Sequence, residues 1–449
     1  MGMEFVTDLH LHSKYSRAVS KEMNLYNMAL WGTKKGLDIL STSDWTHPLW
    51  FREIKQELVE DTEGIFKFKN DKEFKTRFIL SVEISSIYSQ GGKVRRIHNL
   101  VFSPSIEVAE KIQAELIKRG CNISSDGRPI IGLSSIQLME LIYSISDDVF
   151  LVPCHAWTPW FALYGSNSGF DSIDECFGQY ADKIYGVETG LSSDPYMNWQ
   201  IKELDNRSII STSDAHSLPK MGREATVFVT KDEIKNFKPS YRDFIGAIKQ
   251  EKEGKLKIGY TVEFYPEEGK YHYTGHRNCN FVQDPKTTRA NGTICPVCKR
   301  QLTVGVMHRV EELARDKSWP KEISKSNPYG VKWMMDPAKK HPPFVKLVPL
   351  NEIIAESLHS TVASQKVKEL YDNLCNSLGP AFQILLKTPI DEIRLHAGDR
   401  VAEGVQKVRS GDIVILPGFD GQYGIVKIWD DKKISEKHEE SANQLGLDF

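Results

Sequence analysis

At 449 residues, with hydrophobic residues at 40% and charged residues at 26%, the chain has the balance of a globular protein and the length of two or three domains. A formal net charge of -2 excludes a uniformly basic surface, although a local basic patch stays open. The chain has seven cysteines, and Cys279, Cys295 and Cys298 lie close together, which fits a reducing compartment with a metal site better than a disulfide framework. No leader-like start and no long apolar run is present, so the expectation is a cytoplasmic protein, nucleoid-associated in a bacterial source, with no membrane partner.

From residue 1 to about 250, short apolar strand-like runs alternate with helix-like stretches. The runs are Glu4–His12, Leu37–Asp44, Phe78–Ser85, Ile97–Phe102, Phe150–His155, Ile184–Glu188 and Ser208–Asp214. Ile106–Arg119 and Ser134–Ile145 carry apolar residues three and four apart and predict helices. Alternation of this kind predicts parallel strands with helical crossovers. Metal-binding residue types fall at the ends of the runs: His10, His12, Asp44, Glu83, His155, Asp214 and His216. In a barrel of parallel strands those ends form the active face. Within Asp8-Leu-His10-Leu-His12 the polar residues share one face of a strand, and Thr212-Ser-Asp214-Ala-His216 repeats the spacing with a carboxylate and an imidazole. Glu83, His98 and His155 follow or sit within apolar runs, where an unpaired charge or ring is expensive. Each alone is more often structural; together, chance is the weaker explanation.

Residues 255–310 are rich in Gly, Lys, Arg and His and read as a small inserted module. The pairs His276/Cys279 and Cys295/Cys298, each with a two-residue gap, predict one tetrahedral structural zinc, the alternative being buried thiols beside a surface histidine. Arg277, Lys299, Arg300 and Arg309 are candidate DNA contacts, with Tyr271, Tyr273 and Phe281 interleaved to stack on bases; a solvated basic face is the alternative. Residues 311–430 return to mixed patterning, with a helix-like stretch Ser357–Leu374 and a Gly-rich segment Leu416–Ile425 between two strand-like runs. From Asp430 the chain is charged and polar, which predicts a disordered tail. The absence of a G-x-x-x-x-G-K-[ST] loop argues against a nucleotide-driven motor. The division is a catalytic domain over 1–252, a zinc-binding module over 253–312, a C-terminal α+β domain for DNA and lesion recognition over 313–430, and a tail over 431–449.

The motifs His10-Leu-His12-Ser, Thr42-Ser-Asp44, Val82-Glu83, His98, Pro153-Cys-His155 and Ser213-Asp214-Ala-His216 resemble the polymerase-and-histidinol-phosphatase (PHP) family. The resemblance implies an α/β fold, a distorted seven-stranded (β/α) barrel holding two or three divalent ions. It places His10, His12, Glu83 and Asp214 in one site, has Glu83 bridge to a second with His98 and His155, and gives His216 to a third. Asp214, Glu83 and His10 would then be catalytic, and the His-rich set suits zinc, manganese or iron better than magnesium alone. Such a cluster implies phosphoester hydrolysis. Two stretches depart from the family: Ser16-Arg17, and Asp44-Trp45-Thr46-His47 in place of Asp-His. His47 is the candidate to supply the missing imidazole beside Asp44, and Arg17 to hold a phosphate through its forked donors.

The segments His12-Ser-Lys-Tyr-Ser-Arg17, Thr42-Ser-Asp-Trp-Thr-His-Pro48, Glu188-Thr-Gly-Leu-Ser-Ser-Asp-Pro195 and Thr303-Val-Gly-Val-Met-His-Arg-Val-Glu-Glu-Leu313 are similar to the endonuclease Q family, over nearly the whole chain to about Trp429. This resemblance implies a DNA-repair nuclease for deaminated bases (uracil, hypoxanthine, xanthine) and abasic sites, cutting on the 5′ side of the lesion. Damaged bases leave the stack more cheaply than paired ones. Gly421, Tyr423 and Gly424 are the candidate lesion pocket, a plain hairpin turn being the equal alternative. The ending Gln444-Leu445-Gly-Leu447-Asp-Phe449 is similar to the bacterial peptide that docks on the replicative sliding clamp; a terminal element folded onto the body is the other reading. The competing functions are a PHP phosphoesterase for a small phosphorylated metabolite, which leaves the basic zinc module without a purpose, and a non-catalytic DNA-binding adaptor.

Overall fold

A computed structural model describes residues 2–70, 74–316 and 322–430. The tail peptide Gln444, Leu445, Leu447 and Phe449 lies outside the described residues, as does the tail expected to be disordered.

Local signals placed the first helices well. The helix Ile106–Lys118 starts where the Ser105 side chain accepts from the Val108 N–H, and it buries Ala109, Ile112 and Leu116, a stripe at helical spacing. The helix Ser135–Ile145 opens on a full capping box made by Ser134 and Gln137. The expected helix Ser357–Leu374 is instead two, Leu350–Ser357 and Gln365–Leu378. Between them His359 takes a positive φ of 46°, which turns the chain out of the helix although the apolar spacing continues.

The architecture is mixed α/β around a ten-stranded sheet, with a four-stranded sheet beside it. Strand Glu4–Asp8 runs parallel to Ile39–Ser41, which runs parallel to Arg77–Ile79, so the segments leaving all three strands emerge on one side. Gly186–Glu188 and Ser208–Ile210 are also parallel. The expectation of parallel pairing throughout is corrected elsewhere. Ser81–Gln90 and Lys93–Phe102 form a long antiparallel hairpin closed at Gly91 and Gly92, and Phe150–Pro153 pairs antiparallel to its second arm. A two-residue turn between the arms makes any other pairing impossible. One apolar cluster joins the two sheets: Leu9, Ile39 and Ile79 meet Leu100, Phe102, Phe150, Val152 and Ile210.

The large sheet also crosses the boundaries read from the sequence. Leu256–Glu263 pairs with Ala225–Thr230, and Phe344–Lys346 adds parallel to Leu256–Glu263. The segment Leu416–Ile425 is a hairpin loop between antiparallel strands Val414–Leu416 and Ile425–Lys427. No helix among the described residues is long and apolar enough to cross a membrane.

Candidate metal centre

The side where the parallel strands end gathers the residues singled out in the sequence. Four ligand groups overlap there: His10, His12 and Glu83; His10, Cys154 and Glu188; Glu83, His98 and His155; and His12, Asp214 and His216. Glu83 is fully buried at the centre. Its Oε2 lies 3.3 Å from His12 Nε2 and 3.8 Å from His10 Nε2, while Oε1 lies 3.1 Å from His155 Nε2 and touches His98 Nδ1. His12 Nε2 is also 2.8 Å from Asp214 Oδ1, and the His12 and His216 rings are 4.7 Å apart. Several residues of this side take positive φ, among them Ser43 at 54°, Asp44 at 38°, His155 at 27° and Asp214 at 47°. Such conformations are costly for residues other than glycine and persist where surrounding packing enforces them.

Buried carboxylates stand behind the two leading imidazoles. His10 Nδ1 is 2.8 Å from Glu188 Oε1, so with its proton on Nδ1 the ring donates to Glu188 and turns the Nε2 lone pair to the cluster. That Nε2 is buried with no hydrogen-bond partner, and the Glu83 and Asp214 carboxylates stand 3.8 and 3.7 Å from it. A bare lone pair facing carboxylates in a dry interior is unfavourable unless a cation sits between them. Asp44 takes the same place behind His12, with Oδ1 3.5 Å from Nδ1 and Oδ2 accepting from the Ser13 N–H, the Ser13 hydroxyl and the Ser16 hydroxyl. Asp44, expected as a metal ligand, stands behind His12 and belongs to none of the ligand groups.

Titration behaviour points the same way. Burial disfavours charge on His12, yet the Asp214, Asp44 and Glu83 carboxylates raise its pKa well above the ordinary value. Burial likewise opposes ionisation of Glu83, but His98 and Arg128 hold its carboxyl well below the usual range. A site this anionic takes up cations, as protons or as metal ions that displace them. The donor set of imidazole and carboxylate fits divalent metals.

The other candidate residues divide. His47 Nε2 donates to the Ser124 carbonyl at 3.1 Å and its ring stacks on Tyr15, so it ties down a loop and belongs to none of the ligand groups, contrary to expectation. Arg17 is mostly exposed at the rim, its Nε 3.5 Å from Asp126. His276, Cys279, Cys295 and Cys298 come together in one group, with Cys298 Sγ 3.2 Å from His276 Nδ1, as a tetrahedral site requires. Arg277, Lys299 and Arg300 are exposed around it. Arg309 is turned inward, its guanidinium donating to the Tyr164 and Phe170 carbonyls and to Asp171, which leaves little of it for a phosphate. Tyr423 is exposed on the hairpin loop, with Lys270 over its ring, and Gly421 takes a φ of 86° beside Arg277. Gly424 is a packing glycine: a Cβ there would lie 2.1 Å from the Glu267 carbonyl oxygen.

Sequence reasoning missed Glu188 and Arg128. Glu188 had a signal, being a carboxylate that ends an apolar strand; Arg128 lies in a loop and had none.

A mixed α/β scaffold that gathers overlapping imidazole and carboxylate groups at its strand ends defines a metal-dependent enzyme. Residues 349–412 match the family model described as MJ0043 C-terminal domain. The protein MJ0043 of Methanocaldococcus jannaschii is 31% identical over 273 residues, 60% of this chain and 31% of that protein, so the chain spans about a third of that relative's length. The crystal structure of the lesion-specific endonuclease PfuEndoQ from Pyrococcus furiosus is 28% identical at a TM-score of 0.77, covering 97% of this chain and 99% of that one. Endonuclease Q in complex with a 27-mer duplex bearing an abasic lesion at the active site is 30% identical at a TM-score of 0.78, covering 95% and 97%. The chain belongs to the endonuclease Q family.

Proposed function

We propose that this protein is a DNA-repair endonuclease that recognises deaminated bases (uracil, hypoxanthine, xanthine) and abasic sites in duplex DNA and hydrolyses the phosphodiester on the 5′ side of the lesion. The observation that carries the reading is the near full-length similarity to endonuclease Q seen with an abasic duplex at its active site, joined to the buried ligand groups here. The catalytic part is read as a PHP-type barrel with two or three divalent ions, and His276, Cys279, Cys295 and Cys298 as the ligands of one structural zinc.

The ions, when bound, supply Lewis acidity toward phosphate oxygens and toward water. The chain's own residues do the rest. His10 and His12 present Nε2 lone pairs because Glu188 and Asp44 occupy the far sides of their rings. Glu83 is the carboxylate common to two groups and holds them side by side. Asp214 and His216 have side chains 26% and 37% exposed, so they form the open side where a phosphate enters. Arg277, Lys299 and Arg300 would track the DNA backbone and Tyr423 would stack where a base has left the helix. The terminal peptide 444–449 is assigned to a replicative sliding clamp on its pattern alone.

The test is incubation with labelled duplexes carrying single uracil, hypoxanthine, abasic or normal positions, with manganese or magnesium. Incision 5′ of the lesion, abolished by Asp214→Asn while lesion binding persists, is the expected result. Equal cutting of undamaged duplex overturns the assignment.

A further inference from the structure

The loop Ser124–Arg128 is held over the metal centre from every side. His47 donates to the Ser124 carbonyl, the Gly127 N–H donates to the Tyr15 carbonyl at 3.1 Å, and the Pro129 carbonyl accepts from the Ser85 N–H at 3.0 Å. Asp126 is buried and its Oδ1 accepts from the backbone N–H groups of both Arg17 (3.3 Å) and Arg128 (3.2 Å). Gly127 fits so closely that a Cβ would stand 2.3 Å from Asp44 Oδ2, the oxygen already bonded by Ser13 and Ser16. A loop anchored this heavily delivers one side chain: Arg128 Nη1 lies 3.0 Å from Glu83 Oε2, the carboxylate shared by two ligand groups.

Arg128 is only 27% exposed, yet among the described residues its guanidinium has no hydrogen-bond partner besides Glu83. Guanidinium carries five N–H donors in a rigid fork, so most of them have no protein partner and stay open to solvent or to a ligand. Cations loaded at the centre would claim the Glu83 oxygens and free the fork entirely. Arg309, by contrast, spends its fork on the Tyr164 and Phe170 carbonyls.

We propose that Arg128 contacts a non-bridging oxygen of the phosphate being cut, with Asp126 as its positioning residue. The proposal rests on the functional reading above, because it needs a phosphodiester at the cluster. It also explains the departures at Asp44-Trp45-Thr46-His47 and Ser16-Arg17: Asp44, Ser16 and His47 shape the cradle of this loop.

The test pairs two readouts. In single-turnover cutting of an abasic duplex, Arg128→Ala should slow cleavage about 100-fold, as loss of one donor to developing charge does elsewhere. Arg128→Lys should restore part of it, and Asp126→Asn, which keeps an acceptor for the backbone N–H groups, should recover activity that Asp126→Ala loses. For binding, manganese-loaded Asp214→Asn protein is compared on duplexes with a phosphate or an uncharged methylphosphonate at the scissile position. The neutral linkage should weaken binding about tenfold when Arg128 is present and less than twofold in the Arg128→Ala double variant, with metal content unchanged by elemental analysis. An equal methylphosphonate penalty in both proteins, or metal lost with Arg128, overturns the proposal. Unsubstituted protein that neither binds nor cuts any lesion duplex sinks the functional reading, and the proposal with it.

Discussion

Replacing Glu188 with glutamine isolates the carboxylate that stands behind His10. Its two oxygens receive the His10 Nδ1–H at 2.8 Å, the His155 backbone N–H at 2.7 Å and the Thr212 hydroxyl. Glutamine offers one acceptor oxygen and one NH2 group, so a donor must face either His10 or the His155 N–H. If the amide NH2 faces His10, the ring takes the other tautomer and the metal-facing Nε2 carries a proton. If the oxygen faces His10, the bond survives without its charge. A charge-assisted bond contributes about 1.5–3 kcal/mol against about 1 for a neutral one. The two differ by about 0.5–2 kcal/mol, and the upper end, about 30-fold in metal affinity at 1.4 kcal/mol per tenfold, is expected because it lies inside the range found for carboxylates behind metal-bound histidines. Chelator competition followed by elemental analysis measures it, and raised metal should recover cleavage. Affinity within threefold of the unsubstituted protein would refute the argument that Glu188 sets the His10 tautomer.

The other predictions concern separate parts of the molecule. Cys295→Ser removes a ligand from the His276, Cys279, Cys295 and Cys298 group, and elemental analysis should find one zinc fewer per chain with weaker DNA binding; undiminished zinc contradicts the assignment. Burial pushes the Asp38 carboxyl up from 3.8 to about 6 although the Val6 N–H donates to it. A raised carboxyl adds nothing unfavourable below pH 3.8, where both states hold the proton, and its penalty grows until pH passes about 6. Asp38→Asn, which keeps an acceptor for Val6, should therefore stabilise by about 2–3 kcal/mol at pH 8 and hardly at pH 4 in urea titrations; a gain independent of pH would refute burial as the cause. Full-length protein lacking residues 444–449 should lose binding to the sliding clamp of its source organism, and retained binding removes the tail as the docking site.

The chain order of polar residues after apolar runs was legible because strands impose a period of two and because ligands must sit where strands end. His10, His12, Glu83, His155, Asp214 and His216 were found that way, His98 within an apolar run, and the His276, Cys279, Cys295 and Cys298 group from its two-residue gaps, and each set comes together in the folded chain. Tertiary structure alone decided what stands behind and above them. Glu188 reaches His10 across 178 positions and Asp214 reaches His12 across 202, separations about which local periodicity carries no information. The same limit explains why the arginines divide as they do: Arg309 folds inward onto carbonyls of residues 164 and 170, while Arg128, in an unremarked loop, arrives over Glu83. A side chain's type and spacing follow from the residues beside it, but its partners depend on which distant backbone the packing of Leu9, Ile79, Phe102 and Phe150 brings alongside.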